Sequence, residues 1–106
     1  MSSRVRTEIE GALARVTMTR ADAHNGVDFD MIDALIDAAR TVQQEKAVRA
    51  VILCGEGPSF CAGLDVKSVL AKPATAAMAM ARLYSPIRNK FQEVSLVWRE
   101  LPMPVI

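Results

Sequence analysis

Residues 48–69, from Val48 to Val69, read VRAVILCGEGPSFCAGLDVKSV. The run Ala50 to Cys54 is continuously apolar, which is the pattern of a strand buried on both faces. Residues 55–63 gather three of the five glycines together with Pro58, so a loop follows that strand. A short helix is expected to open at Asp65 or Val66. A strand that ends in small residues and restarts as a helix leaves backbone N–H groups free to bind an oxygen. Local chain geometry of this kind can build half of an oxyanion hole.

Upstream, Val5 to Ile9 alternates apolar and polar residues, Glu10-Gly11 makes a turn, and residues 12–19 resume with Leu13, Val16 and Met18. That is a β-hairpin signal. Residues 20–28 form a loop around the turn pair Asn25-Gly26. Asp28 is placed to cap a helix whose apolar face carries Met31, Leu35, Ala38, Ala39 and Val42, and which ends over residues 46–49. Downstream, residues 74–83 are rich in Ala and Met and read as a helix. Ser85-Pro86 is an N-cap and first-turn pair for a further helix with Ile87, Phe91, Val94, Trp98 and Leu101 on one face. Pro102 and Pro104 close it, and Val105-Ile106 reads as the start of another buried strand. The order ββαβαα plus an interrupted strand belongs to the α/β class.

The 106 residues carry 13 basic and 12 acidic side chains, for a net charge of +1. No basic block or aromatic-basic interleaving is present, which argues against a nucleic-acid partner. The N-terminal residues show no apolar leader pattern, and no apolar run approaches the ~20 residues that cross a bilayer. A cytoplasmic protein without a membrane partner is expected. Cys54 and Cys61 are expected to be small buried thiols, since they are too few for a disulfide framework and lack Cys-x-x-Cys spacing. His24 is the single histidine, so no metal site is expected.

The hairpin, the segment Arg20-Ala21-Asp22-Ala23-His24-Asn25, the strand Arg49 to Leu53 and above all Phe60-Cys61-Ala62-Gly63-Leu64-Asp65 resemble the enoyl-CoA hydratase/isomerase (crotonase) superfamily. Leu101-Pro102-Met103-Pro104-Val105-Ile106 is similar to the strand start that precedes that family's second Gly-rich segment. The resemblance runs along the whole chain, which covers less than half of a family domain. It implies the N-terminal part of a crotonase-like ββα spiral, truncated before the second Gly-rich segment. Residues 1–106 would then be a partial acyl-CoA-binding domain whose C-terminal part is absent.

The resemblance also implies a chemistry. The family stabilises the enolate of an acyl-CoA thioester with two backbone N–H groups, and by motif the first falls on Leu64. Ala62, Gly63, Asp65 and Val66 would lie along the CoA groove, while Ala23 and His24 would help hold the pantetheine and nucleotide part. Gly63 fits a close backbone approach to the thioester. One such donor is worth roughly 3–4 kcal/mol in the transition state. The implied reaction is hydration of a trans-2-enoyl-CoA, with isomerase and hydrolase branches as alternatives. No separate cofactor is implied, coenzyme A being part of the substrate, and the complete protein would be a homo-trimer or hexamer.

The second donor and the catalytic glutamates of the family lie beyond Ile106, so the chain alone is expected to be inactive. Ala21, where the family often has Pro, and Gly26-Val27 are smaller departures. A non-catalytic acyl-CoA-binding or assembly fragment is the rival reading. Other features have plainer readings beside the functional ones. His24 also reads as a solvated loop residue and Asp65 as a helix cap. Met78, Met80 and Leu83 fit core packing or an acyl lid, and Trp98 fits the core. Glu56, Glu93 and Glu100 read as solvated charges. Gly55-Glu56-Gly57 lacks the Lys-Ser/Thr of a phosphate loop.

Overall fold

The computed structural model describes residues 4–63 and 90–106. Strands β1 (Val5–Glu10) and β2 (Leu13–Met18) pair antiparallel, with Glu10 opposite Leu13 and Val5 opposite Met18. The two residues between them begin with Gly11 at φ 60, the left-handed value that the first position of a type II′ hairpin turn requires. Strand β3 (Ala50–Gly55) lies parallel to β2 in the order β1-β2-β3. Parallel neighbours need a crossover, and helix α1 (Phe29–Gln43) supplies it.

Asp28 is the N-cap of α1, as its position before the apolar stripe predicts. Its backbone is extended and its Oδ1 accepts the Met31 N–H at 2.9 Å. Arg4 Nη2 donates to the other carboxylate oxygen at 2.9 Å, and Arg20 Nη1 stands 3.7 Å from it. Burial pushes this carboxyl's pKa up, yet the Met31 N–H and the two guanidinium groups outweigh burial and hold it below the ordinary range. Arg4 before β1 and Arg20 after β2 thus converge on the residue that starts α1.

Met31, Leu35, Ala38, Ala39 and Val42 are buried as the helical spacing predicts, and Ile32 and Ile36 widen the buried face. The stripe packs on one face of the sheet, where Ala14, Val16, Met18 and Val51 are buried. Each large aliphatic side chain buried in this way contributes about 1.5–3 kcal/mol. A second described helix, α2 (Lys90–Arg99), packs against α1 and brings Val97 and Trp98 into the same core, with Leu101 just beyond its end. Val94 and Trp98 share the core side as expected, and Val97 joins them. The expected helices at 65 or 66 and at 74–83, the Ser85-Pro86 cap and the side chains of Ile87 and Phe91 lie outside the described residues, as do Met78, Met80 and Leu83.

Two expectations are corrected. In β3 only Val51 is fully buried, while Ile52, Leu53 and Cys54 are half-buried. The described helices cover one sheet face, and on the other face Arg15 is exposed. Among the described residues the run is accounted for by its position between two parallel neighbours. One of those neighbours is residues 104–106, which pair parallel to β3 through Val105 opposite Val51. The Val51 N–H donates to Pro104 O at 2.9 Å, the Ile106 N–H to Val51 O at 2.8 Å, and the Leu53 N–H to Ile106 O at 2.8 Å. The final residues are extended beside β3, as Val105-Ile106 predicts, but they are not buried: Val105 is half-buried and Ile106 is 80% exposed.

The second correction concerns the turn at 24–26. The left-handed residues are His24 (φ 50) and Asn25 (φ 56), after a 3₁₀ turn at Ala21–Ala23, and not the Asn25-Gly26 pair. Short-range turn statistics miss this because long-range bonds to Asn25 fix the conformation.

Candidate functional site

The site forms where the loop after β3 lies along the loop after β2. Two backbone bonds connect them: the Ala62 N–H donates to His24 O at 2.9 Å and the Val27 N–H donates to Gly63 O at 2.7 Å. The Cys61 thiol donates to Asn25 O at 3.3 Å, and its sulfur accepts the Gly63 N–H at 3.4 Å. His24 Nδ1 lies 3.3 Å from Ser59 Oγ. The structure therefore brings Ala23, His24, Ala62 and Gly63 into one neighbourhood, although they stand about forty residues apart in sequence.

Gly63 has φ 91, and a Cβ built on it meets no heavy atom within 4 Å. Among the described residues it is conformation, not crowding, that demands glycine here. Gly55 is the reverse case, since an added Cβ would fall 2.5 Å from Asn25 Nδ2 and 2.5 Å from Phe60 O. Gly57 (φ 80) makes the turn between them, so the Gly55-Glu56-Gly57 run is a plain turn. Leu64, Asp65 and Val66, which the resemblance assigns to the oxyanion donor and the groove, lie outside the described residues.

Beside this loop opens a cavity of about 290 Å³. Met18 and Leu53 of the sheet, Phe60 and Cys61 of the loop, and Val94 and Trp98 of α2 line it. Among the described residues no charged side chain lines it, so this wall suits an apolar group. Cys54 and Cys61 are free, half-buried thiols, and Cys54 sits 3.4 Å from Thr17 Oγ1 on the other sheet face. His24 is exposed. Glu56 and Glu93 are not isolated charges: Glu56 accepts from Arg6 at 2.8 Å and Glu93 stands 3.5 Å from Arg40. Among the described residues no acidic, His and Cys cluster suits a metal ion, and no helix is long and apolar enough to cross a membrane.

Asn25 and Gly55 are the residues that sequence reasoning missed at this site. The Asn25 carboxamide holds the two loops together from within, and its partners lie 5, 31 and 34 residues away. The local signal was a Gly at the very end of a strand.

An α/β unit of this topology is matched by known proteins. Residues 8–106 match the family model described as Enoyl-CoA hydratase/isomerase. The chain belongs to the enoyl-CoA hydratase/isomerase family. It is 36% identical over 66 residues to the enoyl-CoA hydratase EchA19 of Mycobacterium tuberculosis, a match covering 62% of this chain and 25% of that protein. It is 26% identical over 104 residues to the 1,2-epoxyphenylacetyl-CoA isomerase of Escherichia coli, covering 94% of this chain and 37% of the relative. The crystal structure of an enoyl-CoA hydratase from Mycobacterium smegmatis superposes with a TM-score of 0.80 at 28% identity, over 98% of this chain and 38% of that one. The chain thus spans between a quarter and two fifths of the length of these proteins.

Proposed function

We propose that the chain binds an acyl-CoA thioester at the latched loops and polarises its carbonyl with the backbone N–H that follows Gly63, that of Leu64. The observation that carries this reading is the 2.7 Å bond from the Val27 N–H to Gly63 O. A trans peptide is planar, with its C=O and N–H pointing to opposite sides. Val27 holds the Gly63 carbonyl, and in this reading the N–H on the far side of that peptide is the one offered to the ligand. A donor held in this way needs no reorganisation when negative charge develops on the thioester oxygen.

The apolar cavity beside Phe60 and Cys61 suits the acyl chain, and exposed His24 with Ala23 suits the polar CoA arm. Ala62, Gly63, Asp65 and Val66 would form the groove between them. In the family the stabilised species is an enolate, and hydration of a trans-2-enoyl-CoA is the reaction this reading favours. The likeness to the 1,2-epoxyphenylacetyl-CoA isomerase keeps an isomerase outcome in view. The reading asks for no metal and no separate cofactor. It places the protein in the cytoplasm and, by family habit, in a trimer or hexamer.

Calorimetric titration of the chain with butyryl-CoA and with free CoA tests the proposal. Saturable binding of both, tighter for the thioester, is expected. A folded chain that binds neither contradicts it.

A further inference from the structure

Asn25-Gly26 is the one Asn-Gly pair in the sequence. In an unfolded chain such a pair is chemically labile. The Gly26 nitrogen, with no Cβ beside it, attacks Asn25 Cγ, and an N–Cγ bond forms as the Cγ–Nδ2 bond breaks. Ammonia leaves with the proton that the Gly26 nitrogen gives up, and a cyclic imide remains. Water then opens the ring. Cleavage at Cγ leaves aspartate, and cleavage at the main-chain carbonyl leaves isoaspartate.

The fold holds both reacting groups back from this chemistry. Asn25 is wholly buried, with 0% of its surface exposed, and Gly26 is buried beside it. Asn25 Oδ1 accepts the Arg20 N–H at 2.9 Å, and Nδ2 donates to Glu56 O at 3.0 Å and Ser59 O at 2.9 Å. The Gly26 N–H, whose proton must leave, donates to Ala23 O at 2.9 Å. The Asn25 backbone is held as well, its N–H on Arg20 O at 2.8 Å and its carbonyl under the Cys61 thiol at 3.3 Å. Attack therefore requires the carboxamide to leave Glu56 and Ser59, and the Gly26 N–H to leave Ala23. The two loops must part first.

We propose that Asn25-Gly26 is a deamidation site gated by opening of the two loops: closed, the latch shields its own amide, and each opening exposes it to loss. The product cannot rebuild the latch. Glu56 O and Ser59 O both need a donor, whereas an aspartate offers none when ionised and one when protonated. Isoaspartate also routes the main chain through Cγ. Loss of one amide thus frees the loop after β3 from the loop after β2 irreversibly. None of this depends on the ligand that the loops take.

Ammonia release and isoaspartate content, followed in mild alkali for the folded 106-residue chain and for the same chain in urea, test the gate. Three carboxamide hydrogen bonds must break, so the folded chain is expected to react about a hundredfold more slowly. That protection should match the hydrogen-exchange protection of the Gly26 N–H. It should fall below that of the Ala39 N–H, buried in the middle of α1, which reports global unfolding. In Gly55→Ala the added Cβ would fall 2.5 Å from Asn25 Nδ2, and ammonia loss is expected to rise about tenfold in a chain that circular dichroism shows to be folded. Asn25→Asp, one of the two products, is expected to react with iodoacetamide several-fold faster at Cys61, with Cys54 unchanged.

A wild-type chain that loses ammonia at the urea rate overturns the proposal. So does deamidation protected as strongly as the Ala39 amide exchanges, because only global unfolding would then expose the pair. An unchanged rate in folded Gly55→Ala overturns the gate; should that variant not fold, the wild-type comparison of Gly26 with Ala39 decides alone. In Asn25→Asp, unchanged Cys61 alkylation overturns the release of the loops. Equal acceleration at Cys54 and Cys61 would show that the whole fold is lost, and it overturns that release as well.

Discussion

Replacing Asp28 by Asn separates two jobs that one carboxylate performs. Asn is as good an N-cap as Asp, so Asp28→Asn retains an oxygen for the Met31 N–H. What it loses is the charge that faces Arg4 at 2.9 Å and Arg20 at 3.7 Å, with the Asp28 side chain only 13% exposed. A hydrogen bond to a charged group contributes about 1.5–3 kcal/mol, and relief of the carboxylate's burial penalty offsets part of that. The net loss is about 1–2 kcal/mol, or about 5–10 °C in Tm for a chain of this size.

Asp28→Ala removes the cap as well and is expected to cost about a further 1 kcal/mol. The sign of the pH dependence follows from the depressed pKa. The folded protein binds fewer protons at this site than the unfolded chain, so stability rises with pH there. The contribution is complete above the unfolded value of about 3.9 and is lost as pH falls through the lower folded value. Thermal melts of wild type and Asp28→Asn should therefore differ by a constant amount from about pH 7 to about pH 5 and converge below about pH 4. A gap that persists unchanged into strong acid would refute the ion-pair account, and equal melts for the Asn and Ala variants would refute the cap.

Gly63→Ala should cost about 1–2 kcal/mol through its φ of 91, since its methyl meets no atom among the described residues; a melt within a few tenths of a degree of wild type would contradict this. Trp98→Ala removes a buried side chain shared by the core and the cavity wall. It should cost about 3–5 kcal/mol and abolish or greatly lower the cooperative transition seen by circular dichroism. Trp98 should also report ligand entry through its fluorescence, and no change on saturation with butyryl-CoA would remove the cavity from the acyl site. Crotonyl-CoA is expected to bind the 106-residue chain without hydration above the protein-free rate, since among the described residues no acidic side chain lines the cavity. Loss of the enoyl absorbance on mixing would show that a base is supplied after all.

Much of this architecture is written in local patterns. The apolar-polar alternation about Gly11, the Asp28 cap before a 3.6-period stripe and the apolar run from Ala50 each encode an element within a few residues of chain. Even the extended path of residues 104–106 is visible as an apolar pair after two prolines, although its pairing with β3 is not. The face that an element buries is less legible. The β3 run looks the same whether one sheet face or two are covered, because apolar residues also suit a strand between two parallel neighbours. The latch of the site is least legible of all. Asn25 reads as a turn residue, and nothing local shows that its carboxamide reaches Glu56 and Ser59 or that Gly55 stays bare to make room for it. Such bonds join loops that only the completed sheet brings together.

The central claim concerns one backbone atom, and an amide-to-ester exchange addresses it. Incorporating the α-hydroxy analogue of leucine at position 64 replaces that N–H with an ester oxygen and keeps the Leu64 side chain. The account predicts that the ester chain binds free CoA as before and loses the preference for butyryl-CoA, with the bound carbonyl band moving back toward its free position, whereas Leu64→Ala retains both. An ester chain that still prefers the thioester and still shifts its carbonyl band would contradict the account.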